Sequence, residues 1–215
     1  MTTISEAASK ALLAPFGVPF LTERSVATAD EVATALLGID GPFAAKLCGD
    51  SIAHKSERGL VRLGLPDVTS VETAVAELLG AGRPEDGVTG VLVSSMVGGL
   101  REFLVGVSTD PVFGPTVTVG VGGVLAEAIA DVSVRLVPIR RVDAFDMLRR
   151  LRTRSLLDPF RGEPAVDLGA MADLLLAVST AAQEIHGLVA IDLNPVRIVD
   201  GAPVALDALV ELEDR

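Results

Sequence analysis

The sequence predicts a two-lobed protein of mixed α/β (α+β) class, and three observations carry that reading. Helix signals and short apolar strand runs interleave along the whole chain. The Gly98-Gly99 pair sits in an irregular stretch, Val97 to Leu100, between two such series, so the lobes are expected over residues 1–97 and 98–215. The chain is 49% hydrophobic with no Trp or Tyr and only seven Phe, so its core must be built from Ala, Val, Leu and Ile. At 215 residues it is long enough to bury that core as one domain or two small lobes.

The elements follow in order. Thr3-Ile4-Ser5-Glu6 reads as a capping box ahead of a helix with Ala8, Leu12 and Phe16 on one face, ended by Gly17 and Pro19. Thr28 to Glu31 opens a second helix that closes at Gly38. Phe43–Leu47 and Leu60–Leu65 read as strands, and Val71–Leu79 as a helix ended by Gly80. Val88–Met96, Glu102–Val107 and Thr116–Val121 are strands, and Ala126–Ala130 is a short helix. Asp131 to Pro138 alternates, with Val132, Val134 and Leu136 on one face. Asp143 caps a helix reaching Arg152, and Asp167 caps a long one to His186, stopped by Gly187. Two strands finish the chain.

Composition excludes several classes of function. The mean hydropathy of +0.50 raises the question of a membrane span. The longest uncharged run, Pro111 to Ala126, is broken by glycines and prolines and falls short of the roughly 18 apolar residues a spanning helix needs. The opening MTTISEAASK shows neither a basic n-region nor an apolar h-region, and the single Cys48 cannot form an internal disulfide, so a cytoplasmic, non-membrane protein is expected. A net charge of −11 repels phosphate backbones and speaks against nucleic-acid binding. An anionic ligand must therefore be held by a local cluster of lysine, arginine and backbone N–H groups.

Four clusters have the residue types for such chemistry. Lys46 closes an apolar strand and Lys55 follows nine residues later in a loop; both could reach a phosphate, although a strand-end lysine also snorkels to water without any ligand. His54, between cations, is disposed to stay neutral and is then a competent nucleophile; a surface loop histidine is the plainer alternative. The third cluster is geometric. Asp200-Gly201 between Val199 and Ala202 is a two-residue hairpin turn, so paired residue numbers sum to 401 and Asn194 stands opposite Asp207. An amide oxygen and a carboxylate on one face form half of a magnesium site, the remaining ligands coming from water and nucleotide phosphates. Asp192 points to the same face. Pro195 falls at a ladder position where pairing must bulge or stop, and a polar hairpin edge is the alternative reading. The fourth is Gly120-Val121-Gly122-Gly123, which suits either a phosphate cradle or close packing. Beside these, Arg140 to Arg154 is a basic stretch in an acidic chain, read as a solvated or partner-facing helix face.

Taken together, these stretches resemble one family, the ATP-grasp β subunits and β-like domains of nucleoside-diphosphate-forming acyl-CoA synthetases such as the ADP-forming acetate–CoA ligases. The resemblance rests on Phe16-Gly17-Val18-Pro19, Ala45-Lys46-Leu47 with His54-Lys55-Ser56, Gly90 to Met96, and Arg101 to Gly106. It continues through Asp110 to Pro115, Gly120 to Gly123, Asp131 with Arg135 to Pro138, Arg161-Gly162, and Asp192-Leu193-Asn194-Pro195. The stretches run in family order over nearly the whole chain. One departure is Leu60, where the family has a second glycine behind the His-Lys-Ser motif.

The resemblance implies a two-lobed ATP-grasp fold, ATP or ADP and magnesium as ligands, and a set of roles. Lys46 is similar to the lysine on the nucleotide phosphates, and Ala53, His54 and Lys55 to the loop over them. Ser94, Ser95, Met96 and Val97 resemble the segment that holds adenine by main-chain bonds, and Glu102 the carboxylate that follows it. Asn194 and Asp207 match the magnesium ligands. His54 resembles a second phosphohistidine carrier, accepting phosphate from a histidine on a CoA-binding α part and passing it to ADP. That part is not among these residues, so a CoA-binding α subunit and a hetero-oligomer are implied. A non-catalytic nucleotide-binding regulatory or assembly subunit is the alternative.

Overall fold

The computed structural model describes every residue except Ala53, His54, Ser56, Val124, Leu125 and Arg215. It divides into two compact units. The larger comprises Met1–Thr3, Ala8–Phe20 and Gly98–Arg215, and the smaller comprises Ile4–Ala7 and Leu21–Val97. No described helix is long and apolar enough to cross a membrane.

The smaller unit is an antiparallel four-stranded sheet with helices packed on it. Its strands are β2 (Glu23–Val26), β3 (Phe43–Gly49), β4 (Val61–Leu65) and β5 (Val88–Ser95), in the spatial order β2-β5-β3-β4. The helices are α2 (Val32–Ala35) and α3 (Val68–Ala81). On α3 the fully buried Val71, Val75 and Leu78 recur at i, i+4 and i+7, a single helical stripe. That stripe joins Val26, Val32, Leu47, Val91 and Val93 in one aliphatic core. Each such side chain contributes about 1.5–3 kcal/mol on burial.

The larger unit is a seven-stranded sheet whose strands are β1 (Thr2–Ile4), β6 (Glu102–Asp110), β7 (Gly114–Val121), β8 (Val132–Leu136), β9 (Leu188–Val199), β10 (Ala202–Ala205) and β11 (Leu209–Leu212). The order is β1-β11-β9-β6-β7-β8, with β10 also pairing β9. The long β9 therefore takes β6 along one side and, in succession, β10 and β11 along the other. The helices are α4 (Ala126–Ile129), α5 (Arg141–Arg150), α6 (Leu168–Glu184) and, from Ala8 onward, α1 (Glu6–Leu13), whose first two residues belong to the smaller unit. The α6 stripe of Met171, Leu174, Leu175, Val178 and Ala181 packs on β6 and β7, where Phe103, Val105, Val117 and Val119 are buried.

Several expectations change in detail. The first helix starts at Glu6, and Thr3, held in β1, does not serve as its N-cap; the Glu6 carboxylate pairs instead with Lys46 and Lys55. At the second helix Glu31 reaches back to the Ala27 N–H at 2.8 Å, and Thr28 makes no side-chain cap. Asp67 caps α3, which runs through Gly80 to Ala81 because continuous packing on the sheet outweighs one glycine. Asp143 sits inside the first turn of α5 and accepts the Arg140 N–H at 2.9 Å. The Asp167 cap holds as read, accepting the Ala170 N–H at 3.0 Å. Three strands finish the chain, since the segment after Ala205 re-enters the sheet as β11. The edge strand β8 shows its apolar row, Val132, Val134 and Leu136, to solvent, while Ser133 is buried and Arg135 pairs with Asp146 of α5.

Candidate functional site

β3 is buried along its whole length except at Lys46. The strand does not end at Lys46: the small Cys48 and Gly49 extend the ladder, pairing with Gly90 and Val88 of β5. Lys46 is thus a mid-strand lysine, and its ammonium does not snorkel to bulk water. It lies 3.0 Å from Oε1 of Glu6 and 4.0 Å from Oε1 of Glu23. Lys55 joins the same carboxylate, with Nζ 2.8 Å from Oε2 of Glu6. The Glu6 side chain is 1% exposed, and those of Lys46 and Lys55 are 15% and 10% exposed. Two cations from β3 and from the following loop therefore converge on one buried anion, which a lone buried charge could not tolerate.

The loop after β3 is fixed at both ends to one short segment. The Asp50 N–H donates to Gly87 O at 3.2 Å and the Ser51 N–H to Asp86 O at 3.1 Å. The Arg58 guanidinium grips the Asp86 carboxylate, and the Leu60 N–H closes onto Lys55 O at 2.8 Å. Ala53 and His54, the sequence-derived loop residues, lie outside the described residues.

Ser94 and Ser95 are the last residues of β5. Ser94 pairs with both Glu23 and Ala44, and Ser95 with Phe43. The Met96 N–H donates to Pro42 O at 2.7 Å, and Met96 Sδ accepts the Gly64 N–H at 2.8 Å. Met96 and Val97 follow the end of the strand. Ser95 also lines an open hollow of about 400 Å³ with Leu21, Thr22, Gly38, Ile39 and Asp40.

In the larger unit Glu102 opens β6 and stands directly across from Arg197 of β9, whose guanidinium it binds. The hairpin register is as the turn requires. Asp200 and Gly201 both have positive φ, 50° and 88°, as a type I′ turn demands. Ala202 pairs with Val199 and Ala205 with Val196, sums of 401. The β10 ladder stops before Pro195, as its missing N–H dictates, yet Leu206 N still bonds Pro195 O at 3.0 Å. The register then resumes in β11, where Leu209 pairs with Asp192, again 401. Asn194 and Asp207 are thus bracketed on both sides by one register, and the irregular Leu206–Ala208 stretch lets Asp207 leave the ladder. Two oxygens of this kind would suit a hard divalent cation whose remaining ligands come from water and phosphate. Among the described residues there is no group of three or more His, Cys, Asp or Glu able to hold a metal without such help.

The glycine run answers to packing. The Gly122 N–H donates to Glu102 O and the Gly123 N–H to Asn194 Oδ1, both at 2.9 Å. A Cβ at Gly122 would lie 2.2 Å from Phe103 O. These glycines bring the chain against β6 and orient the Asn194 amide. The Arg140 to Arg154 stretch is largely neutralised at home, by Asp143, Asp173, Asp146 and Asp131. At Asp131 burial pushes the carboxyl up, but bonds from Thr153 and Arg152 outweigh it and the net direction is down.

Glu6, Glu23 and Arg197 escape sequence reasoning. Glu23 and Arg197 look like ordinary surface charges and Glu6 like a helix-capping residue until the fold sets each against a partner, which for Glu6 is 40 residues away.

Comparison with known proteins agrees with this architecture. Residues 1–212 match the ATP-grasp domain model. The chain is 33% identical over 207 residues to the β subunit of acetate–CoA ligase [ADP-forming] I of Pyrococcus furiosus, covering 94% of this chain and 89% of that one. It is 36% identical over 198 residues to acetate–CoA ligase [ADP-forming] I of Archaeoglobus fulgidus, of which it spans only 28%. The solved dinucleotide-forming acetyl-coenzyme A synthetase 1 of Ca. Korarchaeum cryptofilum, in complex with coenzyme A, Ca-AMPCP and HgCl+, superposes with a TM-score of 0.92 at 29% identity, covering 99% of this chain and 94% of that one. Another structure of that synthetase holds coenzyme A and Mg-AMPPCP with a phosphohistidine segment pointing towards the nucleotide site (TM-score 0.83, 30% identity, 97% and 92% covered). The chain belongs to the ATP-grasp family, in the branch of β subunits and β domains of ADP-forming acyl-CoA synthetases.

Proposed function

We propose that this chain is the nucleotide-binding β component of an ADP-forming acid–CoA ligase, working with a separate CoA-binding α subunit in a cytoplasmic hetero-oligomer. The overall reaction is acyl-CoA plus phosphate plus ADP giving acid, CoA and ATP, reversibly. This chain carries the half that moves phosphate between His54 and ADP. The observation that most supports this reading is the 401 register that brackets Asn194 and Asp207 in a chain matched to the ATP-grasp family over residues 1–212.

Each residue has a physical task. Lys46 and Lys55 offset the charge of the nucleotide phosphates and of the phosphoryl group in transit. Met96 and Val97, just past the end of β5, meet adenine through their main chain, with Ser94 and Ser95 anchoring them in the sheet. Glu102, held by Arg197, takes a polar position on the nucleotide. Asn194, oriented by Gly123, and Asp207 hold magnesium, which when bound neutralises and aligns the phosphate oxygens. His54 attacks phosphorus through a ring nitrogen, forming an N–P bond as the donor bond breaks. A terminal oxygen of ADP then displaces the imidazole, forming O–P as N–P breaks and the electron pair returns to the ring.

Calorimetric titration of the purified chain with ADP and ATP, with and without magnesium, tests the reading. Magnesium-dependent binding is expected, and Lys46→Ala should weaken it about 10- to 100-fold, the loss of one charged hydrogen bond. Nucleotide binding that ignores both magnesium and Lys46 would sink it.

A further inference from the structure

We propose that Glu6 is a positioning residue for nucleotide phosphates: a buried internal anion that clamps Lys46 and Lys55 together and aims their ammonium groups. The inference rests on the nucleotide-binding reading above and adds to it a residue that contacts no ligand. Four observations on the smaller unit carry it.

First, one carboxylate serves both lysines, Oε1 to Lys46 at 3.0 Å and Oε2 to Lys55 at 2.8 Å. Second, its side chain is 1% exposed, whereas the two lysines keep a little more access to solvent. The carboxylate is the deepest of the three groups. Third, the two lysines come from different segments, one from the rigid centre of β3 and one from the loop after it. Glu6 is the tie between them, and it stands at the first residue of α1, where a carboxylate is also favoured by the helix dipole. Fourth, Lys46 is further steadied by Glu23 at 4.0 Å.

The energetics favour aiming over competition. Two ammonium groups converging without an anion between them repel, and lysine has four rotatable bonds whose freedom must be lost before it can bind phosphate. A carboxylate at the rear removes the repulsion and much of that entropy before the nucleotide arrives. An ammonium has three donors, so donating to Glu6 does not preclude phosphate. Glu6 and the two lysines together carry one positive charge and Glu23 brings the cluster to neutral, so an incoming phosphate meets no net repulsion. A carboxylate placed in front would instead compete with phosphate, and its removal would tighten binding.

The test is a double-mutant cycle read by calorimetric ADP and ATP titration with magnesium. Glu6→Gln, nearly isosteric, should weaken binding at least tenfold. In a Lys46→Met background the same change should cost clearly less, because only one of the two lysines is then left for Glu6 to aim. Glu6→Asp should recover part of the loss. A merely structural Glu6 would cost the same in both backgrounds, and that result overturns the proposal. So does wild-type or tighter affinity in Glu6→Gln. If Glu6→Gln fails to fold, Glu6→Asp with and without Lys46→Met gives the same cycle: a several-fold loss in the Lys46 background and a clearly smaller one without Lys46 is expected, and equal losses refute it. A wild-type chain that binds no nucleotide would remove the parent reading itself, a result distinct from a bound wild type with an indifferent Glu6.

Discussion

Arg58 and Asp86 meet fork to fork, Nη1 donating to Oδ1 and Nη2 to Oδ2, each at 2.8 Å. The same carboxylate accepts the Arg83 N–H at 2.8 Å, and Asp86 is almost fully buried. Because the Asp86 carbonyl also takes the Ser51 N–H, one residue fastens both ends of the segment that contains His54.

That pairing gives a pH prediction. The Arg58 guanidinium, then the Arg83 N–H, hold the Asp86 carboxyl down at about 2, well below the ordinary value of about 4. A depressed folded-state value stabilises the fold above the unfolded value, so the contribution is intact above about pH 4 and is lost as pH falls through 2. Denaturant unfolding of wild type and Asp86→Asn across pH 2 to 6 should show the variant weaker at pH 6 and the gap closing towards pH 2. A gap independent of pH would contradict this.

Asp207→Ala should abolish the magnesium dependence of ADP affinity. The expected loss is about tenfold or more in the presence of magnesium, with little change in its absence. Retained magnesium dependence would show that the cation is held elsewhere.

His54→Ala should abolish overall turnover with the α subunit while leaving ADP affinity near wild type, because the lost group acts in transfer and not in ground-state binding. Labelled phosphate should then remain on the partner alone. A variant that keeps substantial turnover would remove His54 as a carrier.

Gly123→Ala should destabilise the larger unit by about 1–3 kcal/mol, from overpacking and strain at positive φ. Gly123 has φ +67°, and its Cβ would fall on the Glu102 carboxylate. Displacing Glu102 from Arg197 and the Gly123 N–H from Asn194 should also weaken nucleotide binding. Thermal unfolding and the same titration read the two effects; an unchanged melting temperature would contradict the packing account.

What was legible in the sequence is what depends on near neighbours in the chain. The Asp200-Gly201 turn fixes its own dihedral angles, and strand pairing has a period of two, so the register on either side of Asn194 and Asp207 follows from arithmetic. The Asp167 cap is equally local. Order and residue type likewise sufficed to mark the ATP-grasp stretches. Where local signals competed with packing, the local reading lost: α3 runs through Gly80, and β3 continues past Leu47 to Gly49. Glu6 shows what only the tertiary structure decided. Its local pattern is that of a capping residue, and nothing within several residues marks it as more. Its role comes from Lys46 and Lys55, brought to it by a sheet and a loop it does not belong to. A buried charge is settled by the whole fold around it, because the cost of leaving it unpaired exceeds the small preference that any helix terminus can offer.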